Sequence, residues 1–242
     1  MNQDFIRIVL VATSHPGNIG SAARAMKTMG LKHLWLVNPK TFPDRWANEL
    51  AAGADDVLEN ARVTATLSEA LVGCTAVFGT SARAREMSLP GFTPFEAAER
   101  IVQSEENAQT AIVFGREHAG LTNDELLQCH AHILIPSDPA FSSLNLAQAV
   151  QIMAYELRMR SMSPKAEVSM RSLPLASNEA LELFYSHLEK VLIEIEFLKP
   201  SNPKKLLQRL RRLFNRVHLE EREVQILRGI LTHIERACRD VP

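Results

Sequence analysis

The sequence predicts an α/β fold, a parallel sheet flanked by helices, with a small helical extension behind it. Three observations carry this. Short runs rich in Val, Ile and Leu alternate with helical patterns through the first 160 residues. These runs are apolar almost without interruption, the pattern of strands that crossover helices bury on both faces. Past residue 177 the β-like runs stop, and three stretches with one apolar stripe each take over.

In chain order, the β-like runs fall at 5–11, 33–37, 76–79, 111–114 and 132–135, each bounded by Gly, Pro, Asn or Ser. Helical spacing predicts helices over 19–29, 46–58, 68–72, 94–102, 123–129 and 144–160. Residues 161–177 hold two prolines and five serines without periodicity and read as a linker between a domain at 1–160 and an extension at 178–242. In that extension Leu181, Phe184, Leu188, Val191, Leu192, Ile195 and Leu198 form the first stripe. Leu206, Leu210, Leu213, Phe214 and Val217 form the second, and Val224, Leu227, Ile230, Leu231 and Ile234 the third. The three helices are expected to share a small core or to pack on a partner.

With 242 residues, 46% hydrophobic and 23% charged, the composition excludes a disordered or fibrous chain. No apolar run approaches the roughly 18 residues of a membrane span. The N-terminus carries an acid before its apolar stretch and no small-residue cleavage site, so no signal peptide is expected. Cys74, Cys129 and Cys238 stand far apart, which fits a reduced compartment and a cytoplasmic protein. A net charge of −1 conceals a division: residues 199–242 hold 11 Lys and Arg against 5 acids, while 1–198 hold 16 against 23. Seven bases and no acid lie between Lys199 and Leu219, the footprint of a nucleic-acid contact or of a solvated helix face.

Four polar, small-residue segments follow predicted strands, where α/β proteins place their ligand crevices. They are Thr13-Ser-His-Pro-Gly-Asn-Ile-Gly-Ser-Ala-Ala-Arg24, Gly79-Thr-Ser-Ala-Arg83, Phe114-Gly-Arg-Glu-His-Ala-Gly-Leu-Thr122 and Ile135-Pro-Ser-Asp-Pro-Ala-Phe-Ser-Ser-Leu-Asn145. In the first, Pro16, Gly17, Asn18 and Gly20 are expected to form a loop that lets backbone approach a ligand, at the mouth of a helix. The dinucleotide, phosphate-loop, zinc-protease and hydrolase-elbow motifs are absent. His15, His118, His130 and His132 lack the carboxylate and cysteine company of a metal site, so no metal is expected. Cys74 and Cys129 read as small buried hydrophobes.

His15-Pro-Gly-Asn-Ile-Gly-Ser-Ala-Ala-Arg24, Gly115-Arg-Glu117-His-Ala-Gly120-Leu, and Ile135-Pro with Ser143-Leu-Asn145-Leu-Ala-Gln-Ala-Val150 follow one another in order. They resemble the three motifs of the SpoU-type SPOUT RNA 2′-O-methyltransferases, over about the first 160 residues. The resemblance implies a Rossmann-like parallel sheet with a C-terminal trefoil knot, S-adenosyl-L-methionine as cofactor, and a homodimer whose sites are each completed by the partner's first motif. Matching positions make Thr80, Ser81, Ala82, Gly115, Ile135, Ser142, Ser143 and Leu144 the cofactor pocket. They make Asn18, Arg24, Glu117, Ser143 and Asn145 the polar active-site set. The start of the domain at the N-terminus, the Thr80-Ser-Ala-Arg83 loop and the helical extension resemble the branch that methylates the ribose of cytidine or uridine 32 in the tRNA anticodon loop. Ribosomal RNA, another tRNA ribose, and a silent knotted RNA binder remain the alternatives.

Tail residues Lys204, Lys205, Arg209, Arg211 and Arg212, with Arg83, are then the expected RNA contacts, holding phosphates rather than reading bases. Arg24 is a poor proton acceptor because a guanidinium keeps its charge at neutral pH. Its expected part is to clamp a phosphate and stabilise the developing alkoxide, the alternative being an ion pair with Glu117 that braces the loops. Glu117 could equally serve only to accept backbone N–H groups. Ser143 and Asn145 could cap the helix that follows them. Met153, Met159 and Met162 read as core or dimer packing.

Overall fold

The computed structural model describes residues 3–81, 89–104, 108–162, 174–198 and 204–239. The chain divides into two compact units, Met1–Ser169 and Met170–Pro242.

The first unit is built on seven strands: β1 (Ile6–Val11), β2 (His33–Val37), β3 (Arg62–Thr64), β4 (Ala76–Ser81), β5 (Gly91–Phe92), β6 (Thr110–Phe114) and β7 (Ala131–Leu134). They lie in the order β3-β2-β1-β6-β4-β7-β5, and every pairing is parallel. Side-chain alternation divides the interior into two layers. Ile6, Ile8, Leu10, Ile112 and Phe114 face one core. Val9, Val11, Val37, Ala111 and Val113 face the other. Among the described residues, six helices connect the strands, α1 (Pro16–Thr28), α2 (Arg45–Ala51), α3 (Asp55–Glu59), α4 (Leu67–Ala70), α5 (Pro94–Gln103) and α6 (Asn123–Leu126), and α7 (Leu146–Met162) follows the last strand. The predicted α/β class and parallel sheet are therefore observed.

Three local expectations change. Pro16, Gly17, Asn18 and Gly20 are not a loop; they form the first turns of α1. Pro16 starts the helix, and the His15 ring accepts from the Gly17 N–H at 3.2 Å, capping a free donor. Gly20 serves packing: a Cβ there would lie 2.0 Å from the Ala47 carbonyl oxygen, so only glycine lets α1 and α2 come this close. The single helix expected over 46–58 is broken in two, because Ala52 ends α2 in the left-handed region at φ 44° and Gly53 follows at φ 92°. β3 and β5 have no counterpart among the predicted strands.

The second unit contains α8 (Asn178–Glu194), α9 (Lys204–Val217) and α10 (Glu221–Arg239). Leu181, Phe184, Tyr185 and Val191 of α8, Val224 and Leu231 of α10 and Leu219 before it form a core, against which Phe214 of α9 packs partly buried. The stretch read as linker is structured at both ends. Ser161 and Met162 continue α7, while Leu175 bridges antiparallel to Glu220 and the Ala176 N–H donates to the Leu219 carbonyl at 2.9 Å.

Candidate active site at the strand ends

A cavity of about 290 Å³ opens where β4, β6 and β7 end. Of the expected cofactor residues, Thr80, Ser81, Gly115, Ile135, Ser142, Ser143 and Leu144 line it. Ala82 and Arg83 lie outside the described residues. Phe114, Leu121, Leu146 and Ala149 supply further apolar wall, and His118 and Ala119 part of the rim. These stand within the quoted segments but are not among the expected pocket residues; Phe114 and Leu121 look like core residues in sequence, which they also are.

The loop after β6 gets its shape from two devices. Arg116 and Gly120 exchange both backbone hydrogen bonds, at 3.2 and 2.9 Å, and Gly120 sits at φ 64°. The turned chain comes back so closely that a Cβ on Gly115 would lie 2.1 Å from the Gly120 carbonyl carbon. Arg116 then reaches Glu125 through two parallel N–H···O bonds of 2.9 Å. Glu125 also accepts from the Thr122 N–H at 2.7 Å, within a capping box at the start of α6. Arg116 is thus a brace for the cavity wall.

Glu117 is the centre of the polar site. Its carboxylate accepts from the Ser14 and His15 backbone N–H groups, from the Ser14 hydroxyl at 3.0 Å and from Asn18 Nδ2 at 3.0 Å. Asn18 Oδ1 in turn accepts from Asn145 Nδ2 at 2.9 Å. Asn145 Oδ1 accepts from the Ala147 and Gln148 N–H groups at 2.9 and 3.3 Å, so one side chain both caps α7 and ties it to the site. All three motifs therefore meet within one chain.

Burial raises the Glu117 pKa, but the hydrogen bonds from Asn18, Ser14, His15 and its own backbone outweigh it and hold the carboxyl down at about 2. A folded-state value below the ordinary 4.5 stabilises the fold above pH 4.5, and that contribution fades as pH falls toward 2. The melting-temperature gap between the wild-type protein and Glu117→Gln is therefore expected to be constant near neutrality and to narrow below pH 4.5. A gap that persists unchanged to pH 3 would show that ionisation of Glu117 does not hold the loop.

Arg24 stands apart from this cluster. It lies in the third turn of α1, exposed, with no ion pair among the described residues, and it does not line the cavity. The brace between Arg24 and Glu117 is not formed, because loop donors already occupy both carboxylate oxygens. Ser143 lines the cavity, and the cap of α7 falls to Asn145 instead. Met153 is in the core, whereas Met159 and Met162 are 40% and 66% exposed.

Among the expected RNA contacts, Lys205 and Arg209 are exposed and Arg212 is half-buried; the Lys204 side chain lies outside the described residues. Arg211 is placed differently from these. It is turned inward, paired to Glu182 through bonds of 2.6 and 2.8 Å, and stacked 4.4 Å from the Tyr185 ring centre. Its charge is already spent inside the helical unit. Among the described residues no group of three or more His, Cys, Asp or Glu could hold a metal ion. No described helix is long and apolar enough to cross a membrane.

A parallel sheet with a ligand-sized cavity at its strand ends and three gathered polar motifs defines a ligand-binding α/β domain, and its relatives specify which. Residues 5–155 match the SpoU rRNA Methylase family, and residues 179–241 match the C-terminal domain of the tRNA methyltransferase TrmJ. The chain is 50% identical to the tRNA (cytidine/uridine/adenosine-2′-O-)-methyltransferase TrmJ of Pseudomonas aeruginosa, over 98% of this chain and 96% of the relative. It is 51% identical to the tRNA (cytidine/uridine-2′-O-)-methyltransferase TrmJ of Cronobacter sakazakii, over 98% of both. The crystal structure of TrmJ from Z. mobilis superposes with a TM-score of 0.85 at 37% identity, covering 95% of this chain and 98% of that one. The chain belongs to the SpoU methylase family and, within it, to the TrmJ group.

Proposed function

We propose that this chain transfers a methyl group from S-adenosyl-L-methionine to the ribose 2′-oxygen of cytidine or uridine at position 32 of the tRNA anticodon loop. The observation that carries the proposal is the hydrogen-bonded chain Asn145–Asn18–Glu117, which gathers three distant motifs beside the strand-end cavity. The names of the half-identical relatives support the reaction and the tRNA substrate.

The cavity suits the cofactor. Leu121, Ile135, Leu144 and Leu146 give apolar walls for a nucleoside, the turn at 115–121 brings backbone to the rim, and the volume is near the low end for small-molecule sites. Thr80, Ser81, Ala82, Gly115, Ile135, Ser142, Ser143 and Leu144 are its proposed contacts. When bound, the cofactor supplies an electrophilic methyl group on a sulfonium. The protein's own part is positioning and charge. Glu117 stays ionised and fixes Ser14, His15 and Asn18; both ends of the Asn18 amide are committed, so Asn18 acts by holding the site together. Arg24 clamps the phosphate beside the target ribose and stabilises the 2′-oxygen as its proton leaves to a phosphate oxygen or water. Since Arg24 is exposed and away from its own cavity, the proposed working form is a homodimer in which it serves the partner's site. A trefoil knot formed by the chain after β6 and a cytoplasmic location complete the proposal.

The test is methylation with tritiated S-adenosyl-L-methionine of a tRNA transcript and of the same transcript with a 2′-deoxy nucleotide at position 32. Label is expected in the first alone. Equal label in both moves the target to another ribose. No label, with the cofactor still bound, leaves ribosomal RNA as the substrate to try and a silent binder after it.

A further inference from the structure

We propose that one face of α9, formed by Lys205, Arg209, Arg212 and Arg216, is a linear phosphate-binding stripe for the backbone of the RNA substrate, and that Arg211 has no part in it. The inference rests on the tRNA reading above and names the surface that would hold the RNA.

The four residues stand at i, i+4, i+7 and i+11. At 3.6 residues per turn they fall within about 60° of one another and extend over about 16 Å, one cation for each helical turn. A nucleic-acid strand carries a continuous row of charges, so its phosphates can meet successive side chains along one helix face. The match of residues 179–241 to the C-terminal domain of a tRNA methyltransferase favours RNA as the occupant. Lys205, Arg209 and Arg216 are exposed, and none of the four has an acidic partner among the described residues. Arg212 is half-buried, its Nε enclosed without an acceptor among the described residues, so only the outer part of its guanidinium can face a phosphate.

Arg211 provides the contrast. It points away from the stripe and is held by Glu182 and Tyr185. Adjacent arginines of the same sequence thus have opposite assignments, one structural and one for the ligand.

The experiment measures Kd of the full chain for a fluorescein-labelled tRNA transcript between 50 and 300 mM KCl, values of the order that resolve a salt slope. Arg209→Gln and Arg216→Gln are each expected to reduce the slope of log Kd against log salt by about one, and the double variant by about two. Arg211→Gln is expected to leave it unaltered. Should that variant lose its helical circular dichroism, Arg236→Gln on α10 is the charge-matched control outside the stripe. Equal slope changes in stripe and control variants would mean that only net charge matters and would overturn the assignment, as would an unaltered slope in the double variant. If the wild-type protein methylates tRNA while the stripe variants keep its slope, only the stripe is lost. If it neither binds nor methylates tRNA, the functional reading falls as well.

Discussion

Arg24→Lys is expected to slow methyl transfer about 100-fold, with little change in cofactor affinity, because one planar donor pair at a developing oxyanion contributes on that scale. Lysine keeps the charge but presents a point donor on a flexible stem, so the fork that can hold a phosphate and face the 2′-oxygen together is lost. Cofactor affinity should hold because Arg24 does not line the cavity. Single-turnover kinetics with saturating cofactor would separate the two effects. A rate within threefold of the wild type, well below the roughly tenfold that 1.4 kcal/mol represents, would show that planar contact is not needed.

Gly115→Ala is expected to abolish cofactor binding and to lower the stability of the first unit by about 2–3 kcal/mol, the range of overpacking in a close-packed site. The new methyl carbon would lie 2.1 Å from the Gly120 carbonyl carbon and 2.2 Å from the Leu121 nitrogen. These are backbone atoms and cannot rotate aside, so the turn held by Arg116 and Gly120 must open. Calorimetric titration with S-adenosyl-L-methionine and thermal melting measure both consequences; wild-type affinity in the variant would show that the loop has another closed form. The two variants also form a pair. If sites are shared across a dimer, mixing Arg24→Lys with Gly115→Ala subunits restores one intact site in each mixed dimer, about a quarter of the wild-type activity overall for random pairing. If each subunit serves itself, mixing restores nothing.

What the sequence reveals and conceals here follows from burial. β1, β2, β4, β6 and β7 are legible because helices cover both faces and the residues are apolar in unbroken runs; all five residues of β6 are buried. Arg62, Val63 and Thr64 form an edge strand whose residues are exposed or half-buried, so β3 has no hydrophobic pattern to find. β5, at Gly91–Phe92, is too short for a period. The break at Ala52 is hidden because alanine is a good helix former, and Gly53 just after it is the one local residue that suits the left-handed turn ending α2. At the site, Gly115, Glu117, Ile135, Ser143 and Asn145 stand where their motifs indicated, around one cavity or one hydrogen-bonded chain. The inward turn of Arg211 was not legible, because its partner Glu182 lies on another helix and no spacing within α9 announces it.

The central position of β6 has a consequence for how the protein comes into being. β1 has β2 as a near neighbour, but its other edge waits for β6, where Ile6 pairs with Thr110 across more than a hundred residues. Both neighbours of β4 are also synthesised after it. A nascent chain that has not yet emerged as far as Phe114 therefore carries a three-stranded fragment with a bare apolar edge and an unmated β4. Such edges invite wrong pairings, and contacts this far apart in sequence form slowly. The same strand order that gathers the motifs at one end of the sheet leaves the growing polypeptide with unpaired strand edges until its sixth strand arrives.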